Sequence, residues 1–166
     1  MSIKIVLLSQ SQLLGYLSVI RRSFHTVAET YQLPEENCVA SGSFIKMDQL
    51  MSDYRRGVKL FGCLCDGHTA GYMQLETTEP GKFTLDKVAV LPEYRGQGIG
   101  AQMLEFAIDH AAHHGGQTLT VSVFAIDKSL VDWYLRHGFV LRDTVTHPDL
   151  PLAVAHLDKE LTQSQN

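Results

Sequence analysis

Long apolar runs are missing from this sequence of 166 residues. No stretch approaches the roughly 20 consecutive apolar residues of a membrane span, so neither a spanning helix nor a membrane partner is expected. Cysteine is scarce and odd in number: Cys38, Cys63 and Cys65 cannot form a disulfide framework. The C-x-C pair falls on a predicted strand, which places both thiols on one face. A metal site would need two more ligands from elsewhere, so the cysteines are read as buried, inert thiols suited to a reducing cytoplasm. Basic blocks are absent too, which argues against a nucleic-acid partner. There is no internal repeat, linker or low-complexity tract, and a single domain over residues 1–166 is expected. The eight histidines include no H-E-x-x-H pattern. His110, His113 and His114 crowd one predicted helix and are read as surface and helix-terminal groups, and no metal is expected.

What is present is an ordinary globular composition, 45% hydrophobic and 19% charged, with enough apolar material for a core. The net charge of −4 is uneven: residues 1–60 carry +2 and residues 61–166 carry −6. The acidic portion favours a cationic or amine substrate.

Patterning predicts a strand at 3–8, beginning close behind the N-terminus. Ser9 and Gln12 form a capping box. Leu13, Leu17, Ile20, Phe24, Val27 and Tyr31 then trace a helical stripe, interrupted near Ser23 and stopped by Pro34. A loop over 34–47 leads into a short helix over 48–56. Strands over 58–65 and 69–76 join at Asp66-Gly67, a hairpin signal, and Pro80-Gly81 turns the chain into a strand at 82–91. A helix over 98–114 ends at Gly115-Gly116. A strand at 118–123, a helix capped by Asp127 or Ser129 and closed by Gly138, and strands at 139–146 and 151–158 complete a mixed α/β chain with an antiparallel hairpin region.

The most informative stretch is Val88-Ala89-Val90-Leu91-Pro92-Glu93-Tyr94-Arg95-Gly96-Gln97-Gly98-Ile99-Gly100-Ala101. A strand runs through a proline turn into a glycine-rich bend that opens a helix. Glycines at alternate positions clear side chains from the bend, so main-chain N–H groups can face one anion at the positive end of the helix. Arg95 adds a planar cationic fork suited to phosphate oxygens. Gly96, Gly98 and Ala101 also satisfy G-x-G-x-x-A. A dinucleotide-binding fold, however, wants an acid at the end of the next strand, and 118–123 has none.

R-G-Q-G-I-G-A resembles the acyl-CoA loop of the GNAT superfamily of N-acetyltransferases, Arg/Gln-x-x-Gly-x-Gly/Ala, with Arg95, Gly98 and Gly100 in its fixed positions. Asp127 to Phe139 resembles that family's N-x-x-A-x-x-F-Y-x-x-x-G-F helix, with Asp127 replacing asparagine and Leu130 replacing alanine. The resemblance implies an α/β fold of the GNAT acyl-CoA N-acyltransferase type. In it the mixed central sheet is flanked by helices, and its fourth and fifth strands splay apart. It further implies acetyl-CoA as co-substrate and direct transfer of acetyl to a primary amine in a ternary complex.

By that resemblance, the main chain of Arg95, Gly96, Gln97, Gly98, Ile99, Gly100 and Ala101 holds the pyrophosphate. The segment Val88, Ala89 and Val90 pairs with the pantetheine arm, and a main-chain N–H there polarises the thioester carbonyl. Tyr134 occupies the tyrosine position and is assigned the proton donor to the leaving thiolate. Asp86, read as in phase with Thr84, Val88 and Val90, is the first candidate to take the amine's proton. Glu76 is the second candidate, and a chain of waters is a third route. Asp127 and Leu130 fall beside the cofactor, where a carboxylate suits helix capping better than contact with phosphate. The acceptor, a small-molecule amine or a protein amine, is not legible, although His25 is placed near its pocket. Homodimers are common in the family, and nothing in the sequence decides the matter. The competing reading is a module that binds acyl-CoA without transferring the acyl group.

Overall fold

Two tight turns organise the middle of the chain. Asp66 and Gly67 take left-handed φ values of 50° and 83°, the backbone that a two-residue hairpin between twisted strands requires. They join β2 (Lys59–Cys65) to β3 (His68–Glu79). Pro80 and Gly81, the latter at φ 79°, turn β3 into β4 (Lys82–Val90). The computed structural model describes residues 1–32, 44–146, 148 and 152–162. The other elements are β1 (Ile3–Leu7), α1 (Leu13–Thr30), α2 (Met47–Arg55), α3 (Ile99–His113), β5 (Thr118–Phe124), α4 (Lys128–Arg136), β6 (Val140–Val145) and β7 (Val154–Glu160). Short 3₁₀ turns at Gln10–Gln12 and Pro92–Tyr94 precede α1 and the glycine bend.

Seven strands form one sheet in the order β1-β2-β3-β4-β5-β7-β6. Every neighbouring pair is antiparallel except β4 and β5, which α3 connects as a crossover helix. The sheet is covered on both faces. Leu13, Tyr16 and Ile20 of α1 and Leu50 of α2 pack against Leu60, Tyr72 and Ala89 on one face. Ile99, Met103, Leu104 and Ala107 of α3 and Tyr134 of α4 pack against Phe61, Met73, Leu85 and Val121 on the other. Cys63 and Cys65 point together into this second core, and burial, then the neighbouring Cys65, pushes the Cys63 thiol up to about 11. It is therefore a protonated, unreactive thiol at neutral pH.

The expected interruption of the first helix near Ser23 does not occur. α1 runs unbroken, and the buried Ser23 Oγ is satisfied within it by donating to the Val19 carbonyl at 2.6 Å, four residues back. Most of the loop expected over 34–47, with Pro34 and Cys38, lies outside the described residues. So does the start of the last predicted strand, and β7 begins at Val154.

Two irregularities shape the centre of the sheet. First, Tyr72 pairs with Ala89 but Gln74 pairs with Asp86, so β4 carries one extra residue there. Lys87 sits in this bulge at φ 51°, a left-handed conformation usual for glycine. The bulge shifts the strand's phase: Phe83 and Leu85 face the α3 side, whereas beyond it Val88 and Val90 do so. Second, β4 pairs with β5 only from Lys82–Thr118 to Leu85–Val121. Beyond that point β4 stays with β3 and β5 stays with β7. The fourth and fifth strands therefore splay, as the family resemblance implied.

Gly71 fixes this geometry, because a Cβ there would lie 2.6 Å from the Ala89 carbonyl oxygen and 3.2 Å from Met103 Sδ. Gly71→Ala should cost about 1–3 kcal/mol through overpacking against a backbone that cannot step aside. Urea or thermal unfolding reads this directly, and an unchanged midpoint would contradict it.

Candidate active site

Where the β4–β5 ladder ends, a cavity of about 680 Å³ opens between the strands. One wall is Leu85, Asp86, Lys87 and Val88 of β4, and the other is Val121, Ser122, Val123 and Phe124 of β5. Phe24 and Val27 of α1 and a polar stripe of α2 close one mouth, and Asp127, Leu130 and Tyr134 border the other. Because α1 and α2 cover one sheet face and α4 the other, the cavity connects the two sides of the sheet. Two reactants can thus reach each other from opposite sides.

The open edge of β4 supplies main-chain groups. Leu91 N donates to Ala70 O at 2.8 Å. The alternation of an antiparallel ladder then turns Ala89 toward its partner Tyr72 and aims the main-chain groups of Val88 and Val90 at the free edge, where the Val90 carbonyl accepts from Arg95 Nε and its N–H stays open. Ala89 itself is buried among the α1 residues and presents nothing to that edge. Of the three strand residues expected at the pantetheine, Val88 and Val90 direct main-chain groups to the open edge and Ala89 directs its own to β3.

The glycine bend follows. Gly96 and Gly98 adopt φ of 76° and 80°, and a Cβ on either would meet nothing within 4 Å, so the space in front of the bend is open. The first bond of α3 runs from Gln102 N to Gly98 O at 3.2 Å. The N–H groups from Gly96 to Ala101 have no hydrogen-bond acceptor among the described residues. They stand at the positive end of a helix of 15 residues, a ready anion site. Ile99 buries its side chain in the core, and Gln97 Nε2 turns back to Glu93 O at 3.4 Å. Ile99 can therefore offer only its main-chain group to a ligand in front of the bend.

The Arg95 side chain is not part of this cradle. Its Nη2 donates to Ser23 O at 2.6 Å, Nη1 to Thr26 Oγ1 at 3.1 Å and Nε to Val90 O at 3.1 Å. The fork that suits phosphate here meets two helix groups and a strand carbonyl instead of facing the space in front of the bend.

Tyr134 lies on α4 with its ring packed edge-on to Trp133 and Phe139 at 5.0 and 5.3 Å. It is 4% exposed and borders the cavity. Its hydroxyl has no hydrogen-bond partner among the described residues. Burial, and then the charge of Asp86, raise this phenol well above its ordinary value, so it holds its proton firmly. Asp127 caps α4, its Oδ1 accepting from Leu130 N at 3.4 Å, and Leu130 beside it is 36% exposed on the cavity.

Asp86 also borders the cavity, but the expected phase is wrong. The bulge sends it to the α2 side with its cross-strand partner Gln74, away from the face of Val88 and Val90. There it belongs to a network that sequence reasoning missed. Lys87 Nζ lies 3.1 Å from Asp86 Oδ2 and 4.0 Å from Asp53 Oδ2. Asp53 accepts from Arg56 Nη2 at 2.6 Å and from Gln74 Nε2 at 3.1 Å, and buried Tyr72 donates to Gln74 at 2.8 Å. Arg56 also pairs with Glu76 at 2.5 Å, so the second candidate base is occupied. A signal for α2 was available: Asp48, Gln49, Ser52, Asp53 and Arg56 recur at i, i+1, i+4, i+5 and i+8, one polar helix face, and all border the cavity. His25 pairs with Glu29 at 3.0 Å on the exposed side of α1. His110 stacks on His114 at 4.1 Å. Among the described residues no His, Cys, Asp and Glu side chains group to hold a metal, and no helix is long and apolar enough to cross a membrane.

The profile of the acetyltransferase (GNAT) family matches residues 13–139, a span that contains the splayed strands, the glycine bend and α4. The chain belongs to the GNAT acetyltransferase family. It is 22% identical over 144 residues to an uncharacterised N-acetyltransferase of Lactobacillus delbrueckii subsp. lactis, covering 82% of this chain and 83% of that one. Its fold matches the PaiA N-acetyltransferase of Thermoplasma acidophilum, crystallised with coenzyme A, with a TM-score of 0.78 at 21% identity over 96% of this chain and 99% of that one. It also matches the ribosomal-protein-S18-alanine N-acetyltransferase of Escherichia coli, with a TM-score of 0.76 at 19% identity over 99% and 98%.

The site makes a prediction about tyrosine ionisation. Tyr72 and Tyr134 are both raised above the ordinary 10.0, chiefly by burial. A phenol raised in the folded state contributes stability that is intact below pH about 10 and is lost as the pH climbs above it, where the unfolded chain ionises first. In an alkaline absorbance titration these two tyrosines should ionise only as the protein unfolds. Six simple titrations near pH 10 would contradict the burial.

Proposed function

We propose that this protein transfers an acetyl group from acetyl-CoA to a primary amine, by direct attack within a ternary complex. The observation that carries this reading is the run of main-chain N–H groups from Gly96 to Ala101 with no acceptor among the described residues, which follows the open edge of β4 after the turn at Pro92–Tyr94. An anion in front of the bend would receive those donors with no Cβ in the way. This fits the pyrophosphate of coenzyme A, and an extended arm beyond it would find the groups of Val88 and Val90.

When bound, acetyl-CoA supplies an activated thioester, and the chain's own residues do the rest. A main-chain N–H at Val88 or Val90, aimed into the cavity, polarises the carbonyl as an oxyanion donor does. The Tyr134 hydroxyl, protonated and without a hydrogen-bond partner among the described residues, gives its proton to the departing sulfur. Asp86 takes the proton of the incoming ammonium, directly or through water. It is 55% exposed, and Lys87 holds its position. Asp127 and Leu130 shape the cofactor side of the cavity and take no part in the chemistry. The acceptor enters between α1 and α2, among more acidic than basic groups, which favours a cationic amine, whether a small molecule or a protein amine.

Acetyl-CoA-dependent release of free thiol, measured across a panel of small amines and peptide amines, tests this reading. At least one amine should give stoichiometric release. Binding without release from any amine would favour a module that senses acyl-CoA. With an active amine in hand, Tyr134→Phe should lower kcat roughly ten-fold or more while leaving acetyl-CoA affinity unchanged. Undiminished turnover would remove Tyr134 from the proton transfer.

A further inference from the structure

We infer that Ser122 and the His156–Asp143 pair form a proton outlet of the acceptor site, so that the proton drawn from the amine at Asp86 ends on the imidazole of His156. The inference deepens the acetyl-transfer reading and rests on it. It starts from a polar row that crosses the sheet where the cleft opens. Leu85 and Val121 are the last paired residues of β4 and β5. Asp86 and Ser122 come next on each strand, and both border the cavity. Ser122 in turn pairs with His156 of β7, and His156 pairs with Asp143 of β6. Val121, Val123, Ala155 and Leu157 point into the core beneath α3 and α4. Alternation therefore turns Ser122 and His156 to the other side of the sheet, the side of Asp86. Residues directly opposite in an antiparallel ladder hold their Cβ atoms about 4.5–5.5 Å apart, so the imidazole stands beside the Ser122 side chain. A bulge on β6 completes the row. Leu141 pairs with Leu157 but Asp143 pairs with His156, which sets a carboxylate, and not Arg142, opposite the imidazole.

Hydrogen bonds along the row give the proton a direction. His156 Nδ1 lies 2.6 Å from Asp143 Oδ1. A carboxylate only accepts, so Nδ1 carries the hydrogen and Nε2 of the neutral ring keeps a bare lone pair. Neither Nε2 nor the Ser122 hydroxyl has a hydrogen-bond partner among the described residues. Arg142 fixes the pair from behind, its Nε 3.6 Å from both Asp143 Oδ2 and Asp158 Oδ2, and Thr120 donates to Asp158 at 2.6 Å. Asp143, Arg142 and Asp158 are thus the charged groups around His156 on β6 and β7. β5 offers only the hydroxyls of Thr120 and Ser122, and Asp86 and Lys87 stand across the cleft. Asp86 is placed differently. Lys87 N donates to its Oδ1 at 2.9 Å and Lys87 Nζ to its Oδ2 at 3.1 Å. Both oxygens are engaged, so a proton arriving there disturbs a bond and is passed on. The ammonium gives one proton to Asp86, and that proton moves, directly or through one water, to Ser122 Oγ as the hydroxyl's own proton moves to His156 Nε2. The serine is left neutral, the carboxylate is restored, and the imidazolium is paired with Asp143. The His156 side chain is 21% exposed, and it returns the proton to solvent after turnover. Asp143 acts through the imidazole and is a positioning residue.

Two measurements on the whole protein test the outlet. The first needs no acceptor: in ¹⁵N-labelled protein, two-bond ¹H–¹⁵N couplings should place the hydrogen of the neutral His156 ring on Nδ1. A hydrogen on Nε2 would overturn the proposal. The second is the pH profile of kcat/KM for the best amine of the panel, read by acetyl-CoA-dependent thiol release. His156→Gln should lower kcat/KM roughly ten-fold or more near neutral pH. Its acid limb should move to higher pH, toward the amine's own ionisation, because only amine that arrives neutral still reacts without the outlet. Above that pH, variant and wild type should converge. Ser122→Ala should move the limb in the same direction. So should Asp143→Asn, an exposed position that keeps the test open if the glutamine variant folds poorly. A merely structural histidine would lower the profile evenly at every pH and leave the limb in place, which would overturn the proposal. A limb unmoved in Ser122→Ala would overturn it as well. Thiol release from no amine in the wild type would overturn the transfer reading itself, and this inference with it.

Discussion

A strand that leaves its ladder must find other partners for its main-chain groups, because unpaired N–H and C=O groups away from water are costly. β4 leaves β5 after Leu85, and much of the site follows from that one departure. The open edge at Val88 and Val90 and the donors of the bend follow one another along the chain, separated by the 3₁₀ turn at Pro92–Tyr94, with the cavity between the diverging strands beside them. Together they leave main-chain donors for an extended ligand with a charged end. The antiparallel half of the sheet keeps the row rigid from behind, with Gly71 allowing the close approach of Ala89 and Met103.

The bulge at Lys87 makes the departure workable. A non-glycine residue at φ 51° costs on the order of 1–3 kcal/mol. In return the strand changes phase, so Asp86 looks toward α2 and Val88 toward α4. Without the extra residue, Asp86 and Val88 would compete for one side of the cavity. Local contacts offset the strain: Lys87 N donates to Asp86 Oδ1 at 2.9 Å, and its ammonium stands between Asp86 and Asp53. The acceptor side is therefore a mesh of alternating charges in which Arg56, Asp53 and Gln74 fix one another.

Strong local signals carried most of the fold in the sequence. Asp66-Gly67, Pro80-Gly81 and the bend at Gly96–Gly98 each need left-handed backbone, and glycine announces it. The stripes of α1 and α3 and the cap at Asp127 are equally local. What stayed hidden depended on tertiary partners. Ser23 looked like a helix breaker until its hydroxyl bonded within the helix. Lys87 carries no mark of a bulge, so strict alternation put Asp86 on the wrong face. Arg95 has the chemistry for phosphate, and only the nearness of Ser23 and Thr26 directs it elsewhere. Asp53 and Arg56 drew no functional reading because the opposing β4 wall is 30 residues away in the chain. The amine acceptor left no local signature at all.

The central claim is that one ligand satisfies the free main-chain donors of the β4 edge and the bend together. Amide chemical shifts in ¹⁵N-labelled protein, followed during titration with acetyl-CoA, measure it most directly. The account predicts saturable shifts concentrated on Val88, Val90 and Gly96 to Ala101, with Ala89 moving far less. Shifts absent from these residues, or largest elsewhere on the sheet, would contradict it.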